Sequence, residues 1–238
     1  MGSFRLLDLT LPSPVENLAL DEALLDELEE NGSDAILRFW ESDLNFVVLG
    51  RASSITDDVH ITTCQQDSIP VLRRASGGGT VLQGPGCLSY ALVLPISLHP
   101  NLRGIRPTNQ FVLERMARAL HGWQPTITFQ GISDLAVDGF KISGNAQRRK
   151  RRALLFHGTI LYGMKVDLIA RYLKQPKRKP EYRGNRQHGE FLSTINATPH
   201  EMKQAIADVW SAQSDLEVWP QTRMPHAIAN VVERSPSP

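Results

Sequence analysis

Between Ser13 and Gly32 the chain sets Leu18, Leu25 and Leu28, with Leu20 and Leu24, on one face of a 3.6-residue repeat, which predicts a helix. Ser13-Pro14-Val15-Glu16 marks its start, with a capping serine, a proline suited to the first turn and a glutamate that can reach back. Asn31-Gly32 supplies a left-handed stop. The pattern then shortens. Residues 35–41 and 46–49 read as strands, the polar stretch through Asp57, Asp58 and His60 has room for a short helix, and residues 69–73 and 80–83 read as strands flanking a glycine turn. Another strand is expected over 87–94. Phe111, Val112, Met116, Ala119 and Leu120 return to helical spacing over 108–120. Strand-like runs follow at 126–129, 134–137 and 153–162, with Asp138-Gly139 a two-residue hairpin signal, and helices are expected at 167–174 and 199–211. Strands with helices inserted between hairpins predict an α+β fold, an antiparallel or mixed β-sheet covered on one side by helices. No internal repeat is present, and the Ser-Pro-Ser-Pro end is expected to fray.

Composition narrows the classes. A chain of 238 residues suffices for one sizeable core or two small ones, and 41% hydrophobic residues exclude a disordered tail. Two cysteines exclude a disulfide scaffold, and a net charge of +1 excludes a free-standing nucleic-acid clamp. The longest uncharged apolar stretch, residues 90–98, falls far short of the roughly 20 residues of a membrane span. Asp8, Glu16 and Asp21 interrupt any signal peptide, and Leu6 stands where myristoylation needs Ser or Thr. A cytoplasmic protein with no membrane association is expected, its Cys64 and Cys87 reduced thiols.

Candidate chemistry gathers in two segments. Three adjacent glycines, Gly77, Gly78 and Gly79, follow Arg73, Arg74, Ala75 and Ser76 between β-rich runs. Such a run costs conformational entropy, so it suits either a flexible hairpin loop or a loop whose N–H groups face an anion, with the arginines supplying charge. It matches neither a P-loop nor a dinucleotide fingerprint, since Leu82 takes the place of the last glycine counted from Gly77. In the second segment, residues 134–147, Lys141 follows the Asp138-Gly139 turn closely enough to be held as a positioned charge; the alternative is a solvated strand lysine. His157, inside an apolar run, is either a hydrogen-bonded core histidine or a site residue.

Together these segments resemble the lipoate-protein ligase A family, within the biotin and lipoate ligase fold group. The resemblance rests on Arg73-Arg74-Ala75-Ser76-Gly77-Gly78-Gly79-Thr80-Val81, on Ser133-Asp134-Leu135, on Lys141-Ile142-Ser143-Gly144-Asn145-Ala146-Gln147 and on His157-Gly158-Thr159-Ile160-Leu161. Gly50-Arg51 and residues 172–186 match more weakly. The resemblance implies a catalytic domain of the class II aminoacyl-tRNA synthetase and biotin/lipoate ligase type over 1–215, followed by a C-terminal tail, 216–238, with no full accessory domain. It further implies ATP-dependent activation of lipoate or octanoate to an acyl-adenylate, and transfer of the acyl group to a lysine of a lipoyl acceptor domain or a glycine-cleavage H-type protein. An accessory subunit could complete the system. By this resemblance Lys141 is the catalytic cation, first on the carboxylate and α-phosphate and then on the acyl carbonyl. Asp134 would orient the nucleotide or a Mg²⁺ ion. Arg73, Arg74, Ser76, Gly77, Gly78, Gly79, Ser143, Gly144, Asn145, His157 and Gly158 would bind substrate and nucleotide. An apolar tunnel would take the tail, admitting lipoate and octanoate alike.

The sequence departs from the family where the glycine loop continues into Gln83-Gly84-Pro85-Gly86, in place of the His-Asp pair of many ligases. A relative class transfers octanoyl from a carrier protein through a cysteine thioester, but residues 126–130, where that nucleophile is expected, contain no thiol. The Gly-Arg-Gly-Arg pattern of biotin ligases is absent as well. A non-catalytic lipoyl-binding subunit is the reading from another class. Residues 148–152 and 171–188 are locally basic, the latter with seven Lys or Arg against Glu181 alone. They read as solvated loops, or as contacts for phosphate or an acidic acceptor domain. Only Tyr172 and Tyr182 are interleaved with the second run, which disfavours RNA binding.

Overall fold

The first helix forms as its ends dictate. In the computed structural model, which describes residues 4–32 and 34–236, α1 (Pro14–Asn31) opens on a reciprocal Ser13–Glu16 capping box and ends at Gly32, whose φ is 68°. Before it lies β1 (Phe4–Asp8), and after it β2 (Ala35–Trp40), β3 (Phe46–Leu49), α2 (Ile55–Asp58), α3 (Ile61–Gln66), β4 (Val71–Arg73), β5 (Val81–Gln83) and β6 (Cys87–Pro95). Then come α4 (Ile105–Leu120), β7 (Thr128–Gln130), β8 (Asp134–Val137), β9 (Phe140–Arg149), β10 (Ala153–Leu161), α5 (Val166–Tyr172), α6 (His188–Phe191), α7 (Pro199–Trp210), β11 (Ser214–Asp215) and α8 (Met224–Arg234).

Eight described strands form one sheet in the order β11-β1-β2-β6-β10-β9-β8-β7, and three more form a small sheet, β4-β3-β5. The large sheet is mixed. β1 runs parallel to β2 and β11, while the remaining pairs are antiparallel. The Asp138-Gly139 signal is realised as a tight turn between β8 and β9, with φ of 49° and 80° at its two central residues.

Helices cover both faces of the sheet, which corrects the expectation of cover on one side. Tyr90 and Leu92 of β6 with Phe156 of β10 pack under α4 and α7, against Met116, Ile206 and Trp210. Ala91 and Val93 with Leu155 pack under α1 and α8, against Leu24, Leu25 and Val231. The physical reason is that β6 is apolar at successive rather than alternate positions, and its residues Cys87 to Leu94 are all buried. Both faces of such a strand need apolar cover.

Residues 216–238, expected as a tail, include α8. Arg223 pairs with Glu27 at 2.6 Å and Glu30 at 2.7 Å, Arg234 pairs with Glu22, and Ser235 Oγ accepts from the Arg73 N–H at 2.9 Å. Ser237 and Pro238 of the expected frayed end lie outside the described residues. The basic run 148–152 ends β9 and makes the β9–β10 turn, where Lys150 pairs with Asp26 at 2.6 Å and Arg152 bonds Glu29. Acidic residues of α1 therefore hold part of that charge. No described helix is long and apolar enough to cross a membrane.

Candidate active site

Strand register builds the floor of a cleft. Trp40, Ser89, Thr159, Gly144 and Asp134 fall in one cross-strand row; in the next row on the same face His157 and Ala146 continue the floor, while Arg38 and Ala91 lie beneath α1. The small sheet and the glycine loop stand over this floor, enclosing a cleft of about 830 Å³ that both predicted segments line.

Lys141 enters from β9 just beyond the turn. Its Nζ lies 2.7 Å from Asp134 Oδ1, and the Tyr182 hydroxyl donates to Asp134 Oδ2 at 2.9 Å. Burial first, and then the neighbouring Asp134 charge, raise the Tyr182 phenol above its ordinary range, so it stays a neutral donor at physiological pH. The ammonium lies directly over Gly144, where a Cβ would come within 2.9 Å of Nζ. Lys141 is thus a half-buried charge fixed to the floor, 24% exposed, rather than a solvated strand lysine.

The glycine loop is braced from within by Arg74. Its guanidinium donates to the Gly77 carbonyl at 2.6 Å, the Gly79 carbonyl at 2.8 Å, Val48 at 3.3 Å and Ser76 Oγ at 3.0 Å. Burial lowers its pKa to about 10, which leaves it charged near neutrality. With those carbonyls turned inward, the N–H groups of Gly77, Gly78 and Gly79 have no protein acceptor among the described residues. Such a loop suits an anion.

Behind the loop, Ser76 Oγ and His157 Nε2 are 2.6 Å apart, His157 Nδ1 faces Asp21 Oδ2 at 3.7 Å, and Asp21 Oδ1 accepts from Arg38 at 2.5 Å. His157 is therefore both hydrogen-bonded and on the cleft wall. Asn145 accepts from Tyr90 at 2.5 Å and donates to the Ser133 carbonyl at 2.8 Å, beside Ser143. Gly158 leaves the space this amide occupies: a Cβ there would fall inside the Asn145 side chain.

Of the residues expected to bind, Arg74, Gly78, Gly79, Asp134, Lys141, Ser143, Gly144, Asn145, His157 and Gly158 line the cleft. Ser76 lies behind the wall and touches it through His157, while Gly77 is exposed beside it. Arg73 is not brought to the cleft. Its guanidinium bonds the carbonyls of Gly50, Ser53 and Arg234, tying α8 to the loop before α2. Asp21, Trp40 and Tyr90, which belong to neither predicted segment, line the cleft as well, and so does Gln83, where the sequence departs from the family. For Asp21 a signal existed, because a carboxylate interrupts the stripe of Leu18, Leu25 and Leu28.

The second basic run lines the mouth through Lys174, Lys177, Arg178, Lys179 and Arg183. Among them sits His188, buried, its Nε2 3.2 Å from the Lys174 carbonyl. Burial first, with Arg183, Lys141 and Lys179 adding repulsion, holds its pKa below the ordinary value. Protonation then favours the unfolded chain. Stability is fully present above the unfolded-state pKa of about 6.5 and is lost as pH falls below it. His188→Gln is expected to flatten the fall in melting temperature between pH 7.5 and 5.5, as thermal unfolding at each pH checks.

This mixed sheet, with the glycine loop and Lys141 lining one cleft, has the fold of solved lipoate ligases. A Thermoplasma acidophilum bipartite lipoate protein ligase, described with its E2 lipoyl domain, superposes with a TM-score of 0.80 at 21% identity, covering 97% of this chain and 92% of that one. A lipoate-protein ligase A solved with ATP gives 0.78 at 21% identity, covering 96% and 93%. Residues 13–210 match the family model of the lipoyl protein ligase A/B catalytic domain, and the chain belongs to that family. A Carboxydothermus hydrogenoformans relative named octanoyltransferase LipM is 31% identical over 233 residues, 91% of this chain and 82% of that protein. A Mycoplasma pneumoniae relative named probable lipoate-protein ligase A is 29% identical over 171 residues, 72% of this chain and 49% of that protein. The chain spans about half the length of the Mycoplasma relatives it matches.

Proposed function

We propose that this chain activates lipoate or octanoate with ATP and passes the acyl group to a lysine of a lipoyl acceptor domain, with residues 1–215 as the catalytic unit. The observation that carries this reading is Lys141, paired to Asp134 over Gly144 in the cleft that the glycine loop also lines. A carboxylate oxygen attacks the α-phosphorus of ATP, the bond to the β-phosphate oxygen breaks, and pyrophosphate leaves. Two anions approach each other in this step. Lys141 offsets their repulsion, and the free N–H groups of the glycine loop receive developing negative charge. In the second step the acceptor amine attacks the acyl carbonyl, the amide forms and AMP departs. Lys141, still beside that carbonyl, stabilises its oxygen. Arg73 serves indirectly, by tying the loop before α2 to the end of α8.

Mg²⁺ would shield the triphosphate charge. Among the described residues no three His, Cys, Asp or Glu side chains converge, and both Asp134 oxygens already have partners. These residues fit an ion carried mainly by phosphate and water, with Asp134 as a candidate ligand. The basic mouth supports an acidic acceptor domain, steered more slowly as salt rises. The E2 lipoyl domain described with the Thermoplasma ligase is an example of that partner class. A glycine-cleavage H-type protein would meet the same surface.

The LipM relative makes thioester transfer the competing reading. Against it, Cys64 and Cys87 are both buried, neither lines the cleft, and burial raises both thiols, Cys87 to about 12. Thiols so raised hold little nucleophilic thiolate. The Cys64→Ser, Cys87→Ser double variant is expected to keep acceptor modification, and intact-mass analysis after incubation with octanoyl carrier protein to show no thioester. An octanoyl adduct on either cysteine would favour the transferase. Incubation with ATP, Mg²⁺, octanoate and an acceptor domain tests the main reading: pyrophosphate and an acceptor mass gain are expected, and acid binding without either would indicate a non-catalytic binding subunit.

A further inference from the structure

Asp134 divides its carboxylate between two groups: Oδ1 meets the Lys141 ammonium at 2.7 Å, and Oδ2 accepts from the Tyr182 hydroxyl at 2.9 Å. The residue is 8% exposed, so little water competes for either oxygen. A carboxylate held at one oxygen turns easily about its terminal torsion, which has broad and shallow wells. Held at both, its plane is set. Lys141 reaches its place over Gly144 on a flexible four-carbon stem, and Asp134 is what grips the tip. How firmly the ammonium is fixed therefore depends on how firmly the far oxygen of Asp134 is held.

Tyr182 is itself a fixed donor. It lies 48 residues beyond Asp134, in the single 3₁₀ turn Glu181–Arg183. Its ring packs on Phe191 with centroids 5.1 Å apart, and it closes against Gly131, where a Cβ would come within 3.3 Å of the ring. Arg186 donates to the Tyr182 carbonyl at 2.5 Å, and the Arg183 guanidinium stacks over Phe191 at 4.7 Å. The phenol stays protonated near neutrality, so its hydrogen bond to Asp134 persists there. Pro180 and Arg183 line the cleft, but Tyr182 between them does not. It meets the reaction centre through Asp134.

Resting on the reading above, we infer that Tyr182 is a positioning residue for acyl-adenylate formation: through Asp134 it fixes the Lys141 ammonium where the carboxylate and the α-phosphate come together. A tyrosine that only fastened the basic segment 174–188 would contribute stability and leave the chemical step untouched. Tyr182→Phe keeps the ring and its packing and removes the hydroxyl alone. Pyrophosphate release by this variant is expected to show kcat lowered about tenfold, the factor that one hydrogen bond to a charged group carries, with KM for octanoate within about twofold of wild type. A second readout needs no turnover. In proton–nitrogen NMR spectra of the labelled intact chain, the Lys141 ammonium is expected to give a resolved resonance, assigned by its loss in Lys141→Ala, and to broaden in Tyr182→Phe. An unchanged kcat, or a raised KM at constant kcat, would overturn the catalytic part of the inference. A Lys141 resonance missing from the wild-type chain, or identical in Tyr182→Phe, would overturn the positioning itself. No pyrophosphate from the wild-type chain would remove the proposed activity, and the resonance would then still decide whether Tyr182 fixes Lys141.

Discussion

Lys141→Ala is expected to lower acyl-adenylate formation by about 10²- to 10³-fold, the usual cost of deleting one preorganised charge that meets the transition state. Pyrophosphate release with ATP and octanoate measures it directly. The size of the effect follows from where the ammonium sits: 24% exposed, fixed by Asp134 at 2.7 Å, and held over a glycine that leaves room beside it. Water cannot replace a charge so placed without the reorganisation that the fixed group avoids. Lys141→Arg should recover little, because a planar fork does not fit the point position over Gly144. Unchanged melting temperature with lost turnover would assign the loss to chemistry. Pyrophosphate release at the wild-type rate would sink the role given to Lys141.

The second large effect concerns stability. Arg38 is fully buried on β2 and donates to Asp21 at 2.5 Å, to the Asn17 carbonyl at 2.8 Å and side chain at 2.7 Å, and to the Leu9 carbonyl at 3.0 Å. Replacing it by methionine keeps volume but strands the buried Asp21 carboxylate, at a cost of about 3 to 5 kcal/mol. In a chain of this size that is roughly a 10 °C fall in melting temperature. Adding Asp21→Leu should return much of the loss, since removing both charges relieves what removing one created. Scanning calorimetry of the single and double variants decides. If the double variant melts no higher than Arg38→Met alone, the pairing is not what holds this corner of the site.

These two residues also show where reading the chain stops. Asp21 interrupts a leucine stripe, and Arg38 interrupts the run Ala35–Trp40, in which every residue is buried. Each anomaly was legible; that they answer each other across α1 and β2 was not, because their pairing depends on how a helix crosses a sheet. Gln83 is a similar case. Its departure from the family pattern stood out in sequence, yet only burial beside Ser89 and Trp40 turns it into a group with an unpaired atom. Arg73 goes the other way: adjacent to Arg74 and chemically identical to it, it faces α8 and the Gly50–Ser53 carbonyls, while Arg74 braces the glycine loop.

The chain by itself determined its helix ends, its Asp138-Gly139 turn, most of its strands and the two segments that line the cleft, because caps, turns and apolar periods act over a few neighbouring residues. Tertiary structure alone decided that both sheet faces carry helices, that α8 is tied through Arg73 to the loop before α2, and which of two adjacent arginines meets the cleft. Those outcomes depend on register and packing between residues as far apart as Arg73 and Ser235, and no local pattern encodes such a distance.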